Sequence, residues 1–399
     1  MTFAGTGAST TVNTVKVENL TLGAELTLNG DDILRLSATT GVFPIENNQS
    51  SQIRIYPNPM SYNSILQVYP PVSGEAILTI MDITGKLVGQ IPCFLENTLQ
   101  EFSLSGIERG LYMISIKGKT YQYTGKLLCY GNTAGTVKIE KISNNMSAEV
   151  KTEKIDSKGT LATVDMRYYI GNRLKFTGIS GNYSTVKTDI PTQDKTITFN
   201  FLACSDIDNN DYPVVEIGTQ LWMAENLKTI KFNDSTDIPL KTGSEWGSSA
   251  TPAFCWYTND AVSFNATYGA LYNWYTVNTG KLCPSGWHIP DDAEWTTLFT
   301  YLGGESVTGG KLKETGTTHW LSLNVGASNE SGFTARPGGY RYILEGSFYW
   351  MANAGYWWSS KDYDISNAMY ESLQYISSWV VRSYLPKNCG FSVRCLKDN

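Results

Sequence analysis

The chain has 399 residues, of which 41% are hydrophobic and 17% are charged, so it is apolar enough to fold and long enough for about two to four domains. Its net charge of −6 argues against nucleic acid or an anionic membrane surface as the main partner, because both are bound through basic patches. No apolar run approaches the ~18 residues that a membrane-spanning helix needs, so we expect no direct membrane insertion. His288 and His319 are the only histidines, which disfavours histidine-based catalysis and multi-histidine metal sites.

The start of the chain and its cysteines bear on the compartment. The first residues, MTFAGTGAST, contain neither a basic nor an apolar segment, so we expect no signal peptide within this chain. The chain has seven cysteines, and an odd number leaves at least one of them unpaired.

The first half of the sequence has the pattern of β-strands. All eleven tryptophans lie after residue 220, so the two halves are different kinds of domain. Apolar and polar residues alternate over residues 14–20 and 25–28, and Asn29–Gly30 is typical of a tight turn. Further short runs of this kind occupy residues 52–56, 76–80, 111–116, 136–139, 163–166 and 195–201. We therefore predict β-sandwich modules and no helix before residue 220.

Three motifs of the first half occur in a defined order. They are Ile55–Pro59 (IYPNP), Met81–Val88 (MDITGKLV) and Gly110–Ile114 (GLYMI). Together they resemble the type 9 secretion C-terminal sorting domain, a small β-sandwich on secreted proteins of the Bacteroidetes group. The sorting signal of that family acts at the C-terminus, whereas residues 131–399 follow the motifs here. We therefore expect a structural spacer, with sorting as the alternative.

Two helices are predicted in the second half. The first has its apolar residues on one face at helical spacing, namely Ala270, Leu271, Trp274 and Tyr275. The second begins after Asp291, which forms a capping box with Glu294, and ends at Gly303–Gly304. Its predicted buried stripe consists of Trp295, Leu298, Phe299 and Leu302.

Five motifs of the second half point to a family. They are Trp222–Leu227 (WMAENL), Tyr268–Trp274 (YGALYNW), Leu282–Pro290 (LCPSGWHIP), Ala293–Trp295 (AEW) and Gly390–Cys395 (GFSVRC). Over residues 204–399 the sequence resembles the Fibrobacter succinogenes major paralogous domain. That family is similar to the formylglycine-generating-enzyme group, which has a C-type-lectin-like core. The resemblance implies an α+β C-type-lectin-like fold in which a disulfide joins Cys283 to Cys395.

The predicted fold class is therefore a mainly β N-terminal half of β-sandwich modules, followed by an α+β C-type-lectin-like domain. The predicted segments are an N-terminal β segment (1–47), a sorting-domain-like β-sandwich (48–132), a β-rich module (133–203) and the lectin-like domain (204–399).

Catalysis is not expected from the residues present. Formylglycine-generating enzymes use a reactive cysteine pair that holds copper, and the spare cysteines of this domain are Cys255 and Cys389. Cys255 stands between two aromatic residues, a setting that favours a buried and inert thiol. His288 and His319 have no accompanying nucleophile motif, so packed, hydrogen-bonded histidines are favoured over a catalytic base. We expect no enzyme and no cofactor.

Calcium is the one metal that the sequence suggests. Residues 206–210 have the D-x-D-x-N opening of a calcium loop, but Asp211 replaces the loop glycine and Ile217 the bidentate glutamate. A tight turn is the favoured interpretation, and calcium elsewhere in the domain stays open.

The most unusual stretch lies between residues 356 and 388. It is rich in tyrosine, tryptophan and serine, which make good binding surfaces because aromatic rings give large contact areas at small entropic cost. If Met369 and Leu373 point inward, alternation places the intervening side chains on an outer face that continues on the next strand. The predicted ligand-binding residues are Tyr370, Ser372, Gln374, Tyr375, Ser377, Trp379, Ser383, Tyr384, Leu385 and Lys387. The alternative is that these aromatic residues simply pack the core.

Lectin-like domains of this shape also serve as the variable proteins of diversity-generating retroelements, in which a C-terminal segment is rewritten while its flanks stay fixed. Residues 370–389 lie between the recognisable flanks Trp357–Ser360 and Gly390–Arg394. This resemblance implies a further hypothesis, that the segment is hypervariable.

As a whole, the sequence predicts a non-catalytic, secreted or cell-surface binding protein of the adhesin type. β-Sandwich modules would form a stalk, and the C-terminal domain would present residues 370–387 to a protein or a glycan. The alternatives are a structural cell-envelope protein without a dedicated ligand and, third, an enzyme of the formylglycine-generating group. Binding predicts an exposed aromatic patch, a structural role predicts buried rings, and an enzyme predicts a cleft that contains Cys255 or His288.

Overall fold

A computed structural model describes residues 1–37, 53–56, 58–60, 63–68, 70–96, 100–130, 136–142, 162–344 and 346–398, with only the backbone of Arg54. The part of the chain that the structure describes is mostly β, with 46% of its residues in strands and 10% in helices, which agrees with the β-rich fold predicted from the sequence. It divides into two compact units, one formed by Met1–Ser37 with Leu161–Asn399 and the other by Ala38–Thr160.

The strands are Thr2–Gly7 (β1), Thr14–Asn19 (β2), Ala24–Asn29 (β3), Ile33–Ser37 (β4), Ile53–Tyr56 (β5), Asn63–Val68 (β6), Gly74–Asp82 (β7), Leu87–Leu95 (β8), Gln100–Ser105 (β9), Gly110–Gly118 (β10), Gln122–Cys129 (β11), Lys138–Lys141 (β12), Thr163–Arg167 (β13), Leu174–Ser180 (β14), Tyr183–Asp189 (β15), Thr196–Phe201 (β16), Val214–Ile217 (β17), Gln220–Met223 (β18), Phe254–Cys255 (β19), Leu271–Tyr272 (β20), Trp287–His288 (β21), Gly338–Arg341 (β22), Phe348–Met351 (β23), Ala354–Asp362 (β24), Asn367–Gln374 (β25), Val380–Pro386 (β26) and Leu396–Lys397 (β27). The α-helices are Ala261–Tyr268 (α1), Trp274–Val277 (α2), Asp292–Tyr301 (α3) and Glu305–Leu312 (α4). Short 3₁₀ helices span Ser244–Trp246 and Tyr257–Asn259.

The unit formed by Ala38–Thr160 is a β-sandwich. One sheet has the order β11-β10-β7-β8 and the other the order β12-β9-β6-β5. Strand periodicity buries alternate side chains between the sheets, among them Leu66, Ile80, Phe102 and Ile114. The side-chain amide of Asn58 donates to the Lys126 carbonyl at 2.7 Å and its oxygen accepts from the Leu128 amide at 2.9 Å. The asparagine–proline motif is thus a turn that is fastened to β11.

In the other unit, strands from two distant segments share one module. β1 pairs in parallel with β16, β2 pairs antiparallel with β14, and β4 pairs in parallel with β13. The sequence pattern suggests two separate segments, 1–47 and 133–203, whereas the structure joins strands of both and pairs β12 with β9 of the sandwich. Alternation identifies a strand but carries no information about its distant partner.

This module continues into the C-terminal segment through one sheet. Thr185 in β15 pairs with Val214 in β17, which completes an eight-stranded sheet of order β21-β27-β18-β17-β15-β14-β2-β3. The boundary that the sequence places at residue 204 therefore separates strands that belong to a continuous sheet.

Residues 204–398, here called the head, are built around a five-stranded sheet of order β23-β22-β24-β25-β26. Trp358 and Tyr370 lie on one of its faces, in a core that includes Phe391. Trp357 and Leu373 lie on the other face, in a second core that includes the buried side of α3. Both faces of this sheet are therefore covered.

α3 forms as the sequence predicts. The Asp291 carboxylate accepts from the Glu294 amide, and the Glu294 carboxylate accepts from the Asp291 amide, both at 2.9 Å. The predicted stripe is buried and consists of Trp295, Leu298, Phe299 and Leu302.

The other predicted helix does not form as one element. Gly269, with φ at 75°, ends α1. Tyr272 then exchanges two backbone hydrogen bonds with Phe391, at 2.8 and 3.0 Å, so it belongs to a strand. α2 begins only at Trp274. Pairing with a distant segment overrides the local helical spacing of the predicted face, which was Ala270, Leu271, Trp274 and Tyr275.

The C-terminal end of the head is fastened to the rest of it by two kinds of bond. A disulfide joins Cys283 to Cys395, with Cα atoms 6.0 Å apart. The side-chain oxygen of Asn226 accepts from Arg394 Nε and from Trp357 Nε1, each at 2.9 Å. The family-like motifs around residues 222–227 and 390–395 therefore meet in a buried hydrogen-bonded centre.

Candidate functional site

The structure divides the ten predicted ligand-binding residues among three environments, and the first is the core. Tyr370, Ser372 and Lys387 are 9%, 1% and 7% exposed. Tyr370 pairs in register with Ser383 and their side chains are hydrogen-bonded, so the two share a face. That face is covered by core residues, however, and the expectation that Tyr370, Ser372 and Lys387 face solvent is wrong. The ammonium group of Lys387 instead lies 4.6 Å from the centre of the Trp274 ring.

The second environment is the end of the β25–β26 hairpin where Asn367 pairs with Pro386. Tyr384 is exposed there and stacks in parallel on Tyr363, with ring centres 3.8 Å apart. We call these two residues the tyrosine stack. Leu385 is half-buried against the core.

The third environment is the opposite end of the same hairpin, at the turn from β25 to β26. It contains the remaining predicted residues, Gln374, Tyr375, Ser377 and Trp379. Two other loops meet this turn. We call residues 320–326, 350–353 and 375–379 together the three-loop surface.

Backbone hydrogen bonds join the three loops to one another. The Leu321 amide donates to the Ala352 carbonyl at 2.9 Å, which links the first loop to the second. The Tyr375 amide donates to the Asn353 carbonyl at 2.9 Å, and the Val325 amide donates to the Tyr375 carbonyl at 2.8 Å. Each loop is therefore bonded to both of the others.

The three-loop surface is apolar and uncharged. Its exposed apolar side chains are Leu321 (43%), Leu323 (49%), Trp350 (45%), Ile376 (53%) and Trp379 (62%). None of its residues is charged, whereas 17% of the whole chain is. Depletion of charge together with tryptophan is typical of the centre of a protein-binding patch.

The backbone of the first two loops is strained. The φ angles are 100° at Leu323, 27° at Asn324, 66° at Trp350 and 64° at Ala352. Such conformations cost about 1–3 kcal/mol each for residues other than glycine, and they concentrate at functional sites. They persist only when the surroundings determine the backbone, which the hydrogen bonds between the loops do here.

Cys255 and Cys389, the two cysteines that could serve a catalytic role, are buried in surroundings that disfavour a reactive thiolate. Burial raises the pKa of the Cys255 thiol to about 12. Burial also raises the pKa of Cys389 to about 12. The thiolate is the form that attacks a substrate or binds a metal, and these surroundings disfavour it.

The two histidines are engaged with carboxylates. His288 lies 2.8 Å from Glu294 Oε1 through one ring nitrogen and 2.6 Å from Asp398 Oδ1 through the other. Burial alone would lower the pKa of His288, but the bonds to Asp398 and Glu294 give a net rise. His319 Nδ1 lies 2.6 Å from Glu314 Oε2.

The calcium-like motif forms a turn. Asp206 accepts from the Asp208 amide at 3.0 Å, from the Asn210 amide at 2.9 Å and from the Tyr212 hydroxyl at 2.5 Å. Its oxygens are thus used within the turn. Within the described residues, no three or more histidine, cysteine, aspartate or glutamate side chains are arranged to hold a metal ion.

Sequence reasoning found one of the three loops and missed the other two. Residues 320–326 and 350–353 carry no recognisable motif, and their nearness to residues 375–379 depends on the folded sheet. The usable signal was an absence of charge over short stretches that contain leucine and tryptophan.

Comparison with known families identifies two parts of the chain. Residues 215–397 match the model of the Fibrobacter succinogenes major domain, which covers less than half of the chain. Residues 54–130 match the secretion system C-terminal sorting domain. No curated protein is similar enough to this chain to count as a match.

The sorting-domain match indicates that the protein is secreted by the type 9 system to the cell surface or beyond it. The Cys283–Cys395 disulfide fits such an oxidising environment. Among the described residues, no helix is both long enough and apolar enough to cross a membrane.

Proposed function

We propose that the protein is a non-catalytic, adhesin-like binding protein whose head, C-type-lectin-like in fold, binds a partner protein through the three-loop surface. The observation that carries the proposal is the convergence of five exposed apolar side chains from three hydrogen-bonded loops that contain no charge.

A protein is favoured over a glycan because of the side chains present. Leu321, Leu323 and Ile376 offer aliphatic surface without groups for sugar hydroxyls, whereas Trp350 and Trp379 are of the type that dominates protein interfaces. The uncharged patch on a chain of net charge −6 fits a partner with an apolar, uncharged patch of its own.

The burial of Tyr370, Ser372 and Lys387 favours a second candidate, a structural cell-envelope role in which the aromatic residues only pack the head. This candidate accounts for the buried side chains in the middle of the hairpin. It gives no reason for strained backbone and exposed tryptophan at the three-loop surface.

We also propose that residues 370–389 are diversified, as in the variable proteins of diversity-generating retroelements. Trp379 and Tyr384 are exposed aromatic positions of this segment, and substitution there would leave the core undisturbed. Sequencing the locus tests the idea, because a neighbouring template repeat and a reverse transcriptase are required.

The test of the binding function compares two pairs of exposed aromatic residues. The protein, a Trp350→Ala/Trp379→Ala variant and a Tyr363→Ala/Tyr384→Ala control are screened against protein and glycan arrays. We expect a protein ligand whose affinity falls by about 30-fold or more in the tryptophan variant, as for interface hot spots, and is kept in the tyrosine control.

Other outcomes of this screen contradict the proposal in different ways. Loss of binding in the tyrosine control alone would place the site on the tyrosine stack. A ligand found only among glycans would overturn the choice of partner. An absence of any ligand that depends on either pair would favour the structural role.

A further inference from the structure

A buried ammonium group lies beneath the three-loop surface. Lys313, which directly follows α4, is 0% exposed. Its Nζ donates to three backbone carbonyls, those of Val325 at 2.9 Å, Gln374 at 2.9 Å and Ser377 at 2.8 Å. An ammonium group has three donors, so all of them are used. The carbonyls belong to the first loop and to the turn that forms the third.

Among the described residues, no carboxylate forms an ion pair with this group. Within the described residues its acceptors are carbonyls, and the Trp320 ring centre lies 5.3 Å from Nζ. The nearest charged residues in the sequence are engaged elsewhere, since Glu314 pairs with Arg336 and Lys311 pairs with Glu330. The loops that pack on Lys313 contain no charged residue.

We propose that Lys313 is a positioning residue, an internal cation that orders the three-loop surface in the way a bound metal ion orders loops in other binding sites. The first and third loops present carbonyl oxygens to a common centre, and oxygens so arranged repel one another unless a positive group lies between them. The protonated Lys313 side chain, which is attached to the chain, fills that centre.

This role explains why the strained loops persist. The unusual φ angles at Leu323 and Asn324 lie next to Val325, whose carbonyl accepts from Lys313. The inference rests on the proposed function for its purpose, because ordering the loops serves binding. The ordering itself can be measured without any ligand.

The experiment is amide hydrogen exchange on the full chain, with Lys313→Met compared with the parent protein and with Lys311→Met as the matched control. Lys311 lies in the last turn of α4, two residues before Lys313, and its ion pair is with Glu330, 2.9 Å away. We expect the Val325 and Tyr375 amides, which bond between loops, to exchange about tenfold faster or more in Lys313→Met. Amides of α3 should keep their rates, and Lys311→Met should leave the loops unchanged. Unchanged loop exchange in folded Lys313→Met overturns the inference.

If Lys313→Met does not fold, the parent protein provides the second measurement. Burial lowers the pKa of the Lys313 ammonium to about 7, so it loses its charge as the pH is raised. Between about pH 6 and about pH 9, protection factors corrected for base catalysis should fall at Val325 and Tyr375 and hold in α3. Constant loop protection over that range overturns the inference.

The two proposals can fail separately. If the loops loosen in Lys313→Met but a ligand that depends on Trp350 and Trp379 binds as tightly as before, Lys313 orders the loops but binding does not require that order. If no ligand depends on those tryptophans, the binding function fails, and the exchange rates still decide whether Lys313 orders the loops.

Discussion

Two largely buried cations contact the β25–β26 hairpin, and they bind different kinds of partner. Lys313 lies beneath the turn and faces three neutral carbonyls. Arg382, on the edge strand β26, faces the carboxylates of Asp292, Glu305 and Glu371. The first arrangement keeps ionisable groups away from the proposed binding surface. The second concentrates them between β25, β26, α3 and α4.

The difference indicates where the stability of this hairpin depends on ionised side chains. Glu371 is 2% exposed, and neither of its carboxylate oxygens accepts a hydrogen bond from the described residues. Its ionic partner is Arg382, whose Nε lies 3.4 Å from Glu371 Oε1. One guanidinium is therefore shared by the buried Glu371 carboxyl group and by two carboxylates at the starts of helices.

The largest effect is expected from breaking the arginine arrangement. At about pH 9, where Glu371 is ionised in the folded protein, Arg382→Met leaves this carboxylate buried without a counter-ion. Removing one partner of a buried pair costs about 3–5 kcal/mol of unfolding free energy. Urea denaturation followed by tryptophan fluorescence measures the loss. A stability within about 1 kcal/mol of the parent protein would show that Glu371 is not charged when folded.

The matched control removes both charges. Arg382→Met/Glu371→Leu replaces the pair by apolar side chains of similar size, and such replacements are often neutral or stabilising. We expect the double variant to recover most of the stability that Arg382→Met loses. A double variant as unstable as the single one would assign the loss to the contacts of Arg382 with Asp292 and Glu305 instead.

The next effect is expected from pH. Burial raises the pKa of Glu371 from 4.5 to about 8, against the opposing effect of Arg382. Between these pH values the unfolded chain releases the proton whereas the folded protein keeps it, so the unfolding free energy falls as the pH rises. Above about pH 8 both states are ionised and the fall ends. Each pKa unit corresponds to about 1.4 kcal/mol, so the total is at most a few kcal/mol.

Glu371→Gln isolates this contribution. The variant has no proton to release at this position, so the melting temperature should decline less between about pH 5 and about pH 8 than in the parent protein. Equal declines in the two proteins would assign the pH dependence to other groups.

The same comparison shows how far the sequence could be read. The capping box of Asp291 and Glu294 was predictable because it depends on residues three positions apart. The environment of Tyr370 was not, because alternation was interpreted for a sheet with one solvated face and this sheet has a core on each face. Residues close together in the sequence determine where α3 begins. The burial of Tyr370 depends instead on whether one or both faces of its sheet are covered.

The three-loop surface illustrates a second limit. Lys313 in the sequence is one lysine among many, and its three acceptors come from residues 12 to 64 positions further along the chain. Positive φ angles at Leu323 and Trp350 contradict the preference of those residue types, so no local rule predicts them. Features that depend on contacts between distant segments could not be predicted from the sequence alone.

The smallest effect is expected from replacing an exposed side chain of the three-loop surface. Trp379 is 62% exposed, so Trp379→Ala should lower the unfolding free energy by less than about 1 kcal/mol, whereas Trp358→Ala, at a fully buried ring, should cost about 3–5 kcal/mol. Thermal unfolding of the two variants beside the parent protein measures both. A loss at Trp379 comparable to that at Trp358 would mean that this ring holds the head together, and the structural role would then account for the three-loop surface as well. A small loss leaves an exposed tryptophan that folding does not require, next to two loops whose backbone is strained.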